Sequence, residues 1–273
     1  MRVGILHPGA MGAAVGAAVK AAGADVVWAS DGRSDASRSR AERTGLRDVG
    51  TVEALVESSD IVLCICPPDA AVDVAELVRG AGFTGTYVDA NAVAPSTVQR
   101  IATILERAGA TFVDGDLIGG PPQPGGPTRL YLSGPAAGAV ADVIHGPGLE
   151  SVALSGDLAA ASSLKMCYAA WTKGTAALLL AVRAVARQLG VEEALIAEWE
   201  RTQPGVHERS GGAVGSVPKA WRFVGEMQEI AATFADAGLP EGFALAAAEI
   251  YQRLAAFKDS PTTLDEALGA LEP

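Results

Sequence analysis

His7-Pro8-Gly9-Ala10-Met11-Gly12 is the stretch whose reading decides the fold. It follows MRVGIL (1–6), an apolar run with the length of a buried strand, and precedes Ala13–Ala22, an Ala/Val-rich run with the composition of a helix. Strand, glycine turn and helix in immediate succession are the setting in which a G-x-G-x-x-G pattern signifies dinucleotide binding. Gly9 would let the backbone approach a pyrophosphate, and Gly12 would let the helix pack against the strand. The helix N-terminus, with Ala10 and Met11 in its first turn, would offer free N–H groups and a partial positive charge. His7 stands where the pattern has its first glycine. It either touches the pyrophosphate through a ring N–H or fills the turn.

Outward from this turn, short apolar runs alternate with amphipathic ones. Strands are expected at Val3–Leu6, Asp25–Ala29, Ile61–Cys66, Thr86–Asp89 and Thr111–Val113, then Arg129–Leu132, with Ser151–Leu154 closing the sheet. Helices are expected near Ala10–Ala22, Ala36–Arg43, Ala70–Arg79, Ser96–Ala108 and Ala136–Ile144. Such alternation argues for a mostly parallel α/β sheet of the Rossmann type, over residues 1–156. From 157 to 273 the texture is all-helical. Asp157–Leu189 contains one glycine and no proline, carries Asp157 at its start and Arg183 and Arg187 near its end, and stops at Gly190. Further helices are expected at Glu192–Arg201, Pro218–Ala237 and Gly242–Phe257, while Gly115–Thr128 and Pro204–Ser216 read as loops.

The chain has 273 residues, 49% hydrophobic, with a net charge of −11. A field of that sign repels nucleic acid and anionic membrane, so neither is an expected partner. Cys64, Cys66 and Cys167 read as scattered thiols suited to a reducing cytoplasm, and no metal site is expected. With a strand starting at once, no signal peptide is expected, and the longest apolar run, Ala176–Val182, is too short to span a bilayer.

Three motifs in this order resemble one family: the N-terminal glycine turn, a D-x-x-x-x-G-G loop at Asp114–Gly120, and Lys165 near the start of a long helix. Together they resemble the β-hydroxyacid dehydrogenase superfamily, which is similar to 6-phosphogluconate dehydrogenase. The resemblance implies a nicotinamide-binding Rossmann domain and a helical domain built on a long interdomain helix, which completes the substrate site and forms a homodimer. Asp89-Ala90-Asn91 with Pro95 resembles the segment beside the nicotinamide, with Asn91 in place of serine. Ile118-Gly119-Gly120 resembles the substrate loop, with Ile118 in place of the substrate-binding serine. Lys165 matches the family's catalytic lysine, whereas Ala169 replaces the asparagine four residues on and Gly225-Glu226-Met227 stands where a second lysine would be.

Carbonyl/alcohol interconversion by hydride transfer needs a proton on the oxygen, and a lysine of lowered pKa supplies or accepts it. Lys165 has no carboxylate near it in sequence to hold its proton, and takes that role. On the same helix Tyr168, Ala169 and Thr172 flank it as substrate contacts, although Tyr168 equally suits a packing role. Lys173 reads as a solvated or inter-subunit charge, and Asp114 as a cap on the glycine loop. His207, Lys219 and Arg222 read as a solvated loop or as groups reaching a partner subunit. At the end of the second strand, Asp31 suits the ribose diol of NAD, whereas Ser30, Arg33, Ser34 and Arg38 make a nest for the 2′-phosphate of NADP. NADP is favoured over NAD. Cys66-Pro67-Pro68 reads as a stiff turn beneath the cofactor. The substrate is expected to be a small carbonyl or alcohol, bulkier or more apolar than a simple β-hydroxy acid. An imine reductase, or an NADPH-binding module without turnover, are the alternatives.

Overall fold

In the computed structural model, which describes residues 1–272, the seven expected runs become strands and, with one short further strand, make a single eight-stranded sheet. The order along the chain begins β1 (Arg2–Leu6), α1 (Ala10–Ala21), β2 (Asp25–Trp28), α2 (Asp35–Arg43), β3 (Arg47–Asp48), α3 (Val52–Ser58) and β4 (Ile61–Cys64). It continues with α4 (Ala71–Gly80), β5 (Thr86–Asp89), α5 (Pro95–Glu106), β6 (Thr111–Ile118), β7 (Thr128–Ser133), α6 (Ala137–Ala141) and β8 (Leu149–Ala153). The spatial order is β3-β2-β1-β4-β5-β6-β7-β8, parallel except between β6 and β7. The order reverses at β1, so the carboxyl ends of β1 and β4 flank the switch point where α/β sheets bind ligands.

Successive strand residues serve opposite faces. Val3 and Ile5 with Val26, Trp28, Ile61 and Leu63 pack beneath α1, α2 and α6. Leu6, Val27, Val62, Cys64, Tyr87 and Phe112 pack against α3, α4 and α5. Both faces are covered, which is why the central strands read as apolar runs rather than alternating ones.

The described residues divide into two compact units, Met1–Lys165 and a second from Met166 onward. The division falls within α7 (Ala160–Gln188), 29 residues long and thus about 44 Å at 1.5 Å per residue. It is followed by α8 (Glu192–Thr202), α9 (Val206–Gly212), α10 (Ala220–Asp236), α11 (Gly242–Leu254) and α12 (Leu264–Gly269). Near the end of α7, Arg183 is buried and binds Glu192 at 2.8 Å and the Ser210 hydroxyl at 3.0 Å, while Arg187 reaches Glu192 and Asp265. These arginines therefore tie α7 to α8, α9 and α12 as well as suiting its dipole. No helix among the described residues is long and apolar enough to cross a membrane.

Several expectations are corrected. The loop expected at 115–128 begins as strand, since β6 runs on to Ile118. The loop expected at 204–216 contains α9 and a 3₁₀ segment, Ala213–Lys219. The short elements β3, α3 and α12 are additions.

Candidate functional site

The glycine turn closes at the carboxyl end of β1. His7 takes φ +64°, the left-handed conformation that glycine adopts without strain, so it fills the missing glycine's backbone role at a steric cost. A Cβ on Gly12 would lie 2.6 Å from the His7 carbonyl oxygen, so only glycine fits there; the close neighbour is the turn, with Ile5 of the strand at 3.8 Å. A Cβ on Gly9 would meet nothing nearer than that carbonyl at 4.0 Å, which leaves Gly9 open on its outer side. Gly9 also caps α1 without a side-chain bond. The first-turn N–H groups of Ala10, Met11 and Gly12 have no intrahelical acceptor, as at every helix start. An open glycine beside orphan donors fits a pyrophosphate.

The β2–α2 turn lies beside it. Ser30 is buried, and its carbonyl accepts from Arg38 Nη2 at 2.8 Å. Ser34 caps α2 by accepting from the Ser37 N–H. Asp31 is exposed and Arg33 half-buried. Arg40 donates to the Pro8 carbonyl at 3.4 Å, joining this turn to the glycine turn.

Along the sheet's carboxyl edge, Leu6, Cys64, Asp89, Asp114 and Ser133 are register partners across five strands. Asn91 is buried and ties the row together: its amide donates to Asp89 and, at 3.5 Å, to Cys64 Sγ, and its oxygen accepts from the Cys66 N–H at 2.5 Å. Burial pushes the Asp89 carboxyl well above the usual carboxylate range, helped by the charges of Cys64, Asp114 and Asp116. Pro67 leads into a 3₁₀ turn, Pro68–Ala70. The thiols are not scattered: Cys64 and Cys66 lie 3.7 Å apart and share a corner with His7.

The densest polar geometry joins β6 to the start of α7. Asp114 and Asp116 are two apart on the strand and share a face, while Ser162 and Lys165 are three apart on the helix and share another. The two periods match. Asp114 accepts from the Ser162 N–H at 2.9 Å and from its hydroxyl at 2.6 Å, and also from the Ser133 hydroxyl at 3.1 Å. Asp114 thus caps α7, not the glycine loop, because Ser162 N–H is one of the helix's orphan donors. Burial raises the Asp114 carboxyl to about 6, against the hydrogen bonds from Ser162 and Ser133.

Lys165 Nζ donates to Asp116 Oδ1 at 2.8 Å and to the Leu117 carbonyl at 2.5 Å. Their side chains are 13% and 2% exposed, so this is a largely desolvated ion pair. The expectation that no carboxylate holds Lys165, from which the sequence argues its acid–base role, is corrected: Asp116 is 49 residues away in sequence and adjacent in space, so that role rests instead on the placement of Nζ. Gly115 between the aspartates is packed against the far face, where a Cβ would meet Asp89 O and Leu132 at 3.2 Å. The strand ends at half-buried Ile118. The exposed Gly119 takes φ +126°, and the Gly120 carbonyl accepts from Thr128 at 2.8 Å.

On α7, Tyr168 and Thr172 are exposed and Ala169 is buried. Lys173 is not a solvated charge. It pairs with Glu226, whose side chain is 7% exposed, and lies 4.7 Å from the Phe223 ring centroid. His207 pairs with Glu200 at 2.9 Å, and Lys219 precedes α10, where Arg222 lies 3.9 Å from Glu226.

A family model described as the NAD binding domain of 6-phosphogluconate dehydrogenase matches residues 2–145, more than half of the chain, and a domain of unknown function (DUF1932) matches 186–254. An uncharacterised 28.5 kDa protein of Methanothermus fervidus is 31% identical over 172 residues, covering 63% of this chain and 66% of that protein, just under two thirds of its length. A solved conserved protein of unknown function, described as similar to 3-hydroxyacid dehydrogenases, is 26% identical with a TM-score of 0.68 over 94% of this chain and 98% of that one. The 3-hydroxyisobutyrate dehydrogenase of Mycobacterium tuberculosis shares the fold, with a TM-score of 0.74 at 16% identity over 100% and 99% of the two chains. Through residues 2–145 this chain belongs to the family of the NAD binding domain of 6-phosphogluconate dehydrogenase, and it is a member of the β-hydroxyacid dehydrogenase-like superfamily.

Proposed function

We propose that this protein is an NADP-dependent oxidoreductase that interconverts a carbonyl and an alcohol by hydride transfer, with Lys165 as the general acid and base. The observation that carries the reading is the Lys165–Asp116–Leu117 cluster. An ammonium has three N–H bonds. Two are engaged by fixed acceptors, which leaves the third for a substrate oxygen. Asp116 supplies the counter-charge in a site too dry for bulk water to supply it.

A bound nicotinamide would supply or accept the hydride at the carbonyl carbon. The chain's own residues do the rest. Gly9 and the first turn of α1 would hold the pyrophosphate, and Ser30, Arg33, Ser34 and Arg38 would hold the 2′-phosphate in preference to the ribose diol that Asp31 would take. In reduction, Lys165 Nζ gives its free proton to the oxygen as the C=O bond becomes C–O–H; in oxidation it takes that proton back. Ile118, in place of the serine of the substrate loop, makes that loop apolar, which suits a carbonyl compound bulkier than a simple β-hydroxy acid.

The test is NADPH consumption across a panel of ketones, aldehydes and cyclic imines. Turnover of carbonyl compounds in preference to imines is expected. Turnover of imines alone would replace this reading by imine reduction, and tight NADPH binding with no turnover would replace it by a binding module.

A homodimer through the helical unit belongs to the same proposal. Trp171, Leu178 and Val185 recur every seven residues on α7 and are 66%, 62% and 53% exposed. An apolar stripe of that period suits a second copy of the same helix. Sedimentation should give a dimer that Trp171→Glu weakens; a wild-type monomer at micromolar concentration would contradict it.

A further inference from the structure

We infer that His7, Cys64 and Cys66 form a binding site for one soft metal ion of the Zn²⁺ class. The residues come from the ends of two adjacent strands, β1 and β4, at the switch point of the sheet. One ligand atom from each lies within 4.8 Å of the other two. The two sulfurs are 3.7 Å apart. Tetrahedral coordination with Zn–S bonds of about 2.3 Å places two thiolates about 3.8 Å apart, so the thiols already span one edge of the tetrahedron. A Zn–N bond of about 2.0 Å needs the imidazole nitrogen about 3.5 Å from each sulfur, against the 4.8 Å within which the three ligand atoms already lie.

Two further observations single out His7. Its Nδ1 is buried and has no hydrogen-bond partner, and a buried polar atom without a partner calls for an explanation. It also holds a left-handed backbone where the family pattern has glycine, and strain of that kind persists where a side chain has a task. Asn91 Nδ2 lies 3.5 Å from Cys64 Sγ, the outer hydrogen bond that commonly orients a metal-binding thiolate. The two thiols lose their protons on binding, each sulfur forming a bond to the cation, so uptake releases protons. Three protein ligands leave a fourth position for water or a ligand atom.

The site shares His7 and Cys66 with the turns that the proposed function places beneath the nucleotide, so it is tested without nucleotide and with a readout other than turnover. Full-length protein under a metal-free phosphine reductant is titrated with Co²⁺, followed by competition with Zn²⁺. One equivalent should bind with a thiolate-to-cobalt charge-transfer band. Cys66→Ser and His7→Ala should each weaken binding by about tenfold or more, and Cys167→Ser, far along the chain on α7, should leave it unchanged. Absence of the band at one equivalent, or a band that survives both Cys66→Ser and His7→Ala, would overturn the site. Circular dichroism of each variant separates loss of ligation from loss of fold.

Discussion

Lys165→Met is expected to slow turnover of the preferred carbonyl substrate by about 10²–10⁴-fold, the range a positioned general acid contributes. NADPH affinity should stay near the wild-type value, because the glycine turn and the β2–α2 turn do not use Lys165. The substitution also strips Asp116 of its counter-charge while the carboxylate stays 2% exposed, so a fall in stability accompanies it. Lys165→Met with Asp116→Asn separates the two effects. The double variant should recover thermal stability and none of the turnover, since no proton donor returns. Lys165→Arg keeps the charge but cannot give up its proton, and should also be slow. Steady-state kinetics beside thermal melts decide the matter; near wild-type turnover in Lys165→Met would remove Lys165 from the chemistry.

Glu226→Leu is expected to destabilise the protein by about 3–5 kcal/mol, the usual cost of removing one partner of a buried ion pair. Lys173 Nζ pairs with Glu226, stacks over Phe223, and sits where the Tyr251 hydroxyl donates to its own carbonyl at 2.8 Å. Phe223 and Tyr251 meet edge to face, 5.3 Å between centroids, so the ammonium is set in an aromatic corner of α7, α10 and α11. Losing the carboxylate leaves that charge desolvated. The pair itself is worth far less than this cost. Lys173→Met with Glu226→Leu should therefore recover most of the loss, because a buried pair exchanged for apolar groups is close to neutral. Urea denaturation of the three variants measures it. A single-variant loss below 1 kcal/mol would mean that water reaches the ammonium.

The Rossmann half was legible because both sheet faces are covered, which turns β1, β2, β4 and β5 into apolar runs separated by helical spacing. The two-residue β3 and seven-residue α3 carry too few residues for a period to register. β6 reads as ending at Val113 because Asp114-Gly115-Asp116 has the composition of a turn, yet it runs to Ile118. Its aspartates are instead buried acceptors, sheltered by Ser133, Ser162 and Lys165. The signal was present as two acids two apart and a Ser-x-x-Lys three apart at a helix start. Pairing them needs the fold, since 48 and 49 residues separate the partners. The same holds for Lys173, whose carboxylate lies 53 residues away, and for His7 with the two thiols. Composition locates elements; it does not report which polar groups meet across them.

The turn at His7–Gly12 with Arg33 and Arg38 is the proposed NADP site. Fluorescence titration of the protein with NADPH and with NADH tests it most directly. Saturable NADPH binding, tighter than NADH by about tenfold or more and losing that preference in Arg33→Ala/Arg38→Ala, is the expected result, since the 2′-phosphate adds charge-assisted hydrogen bonds that the ribose diol lacks. Saturation by neither nucleotide, or NADH bound more tightly than NADPH, would contradict it.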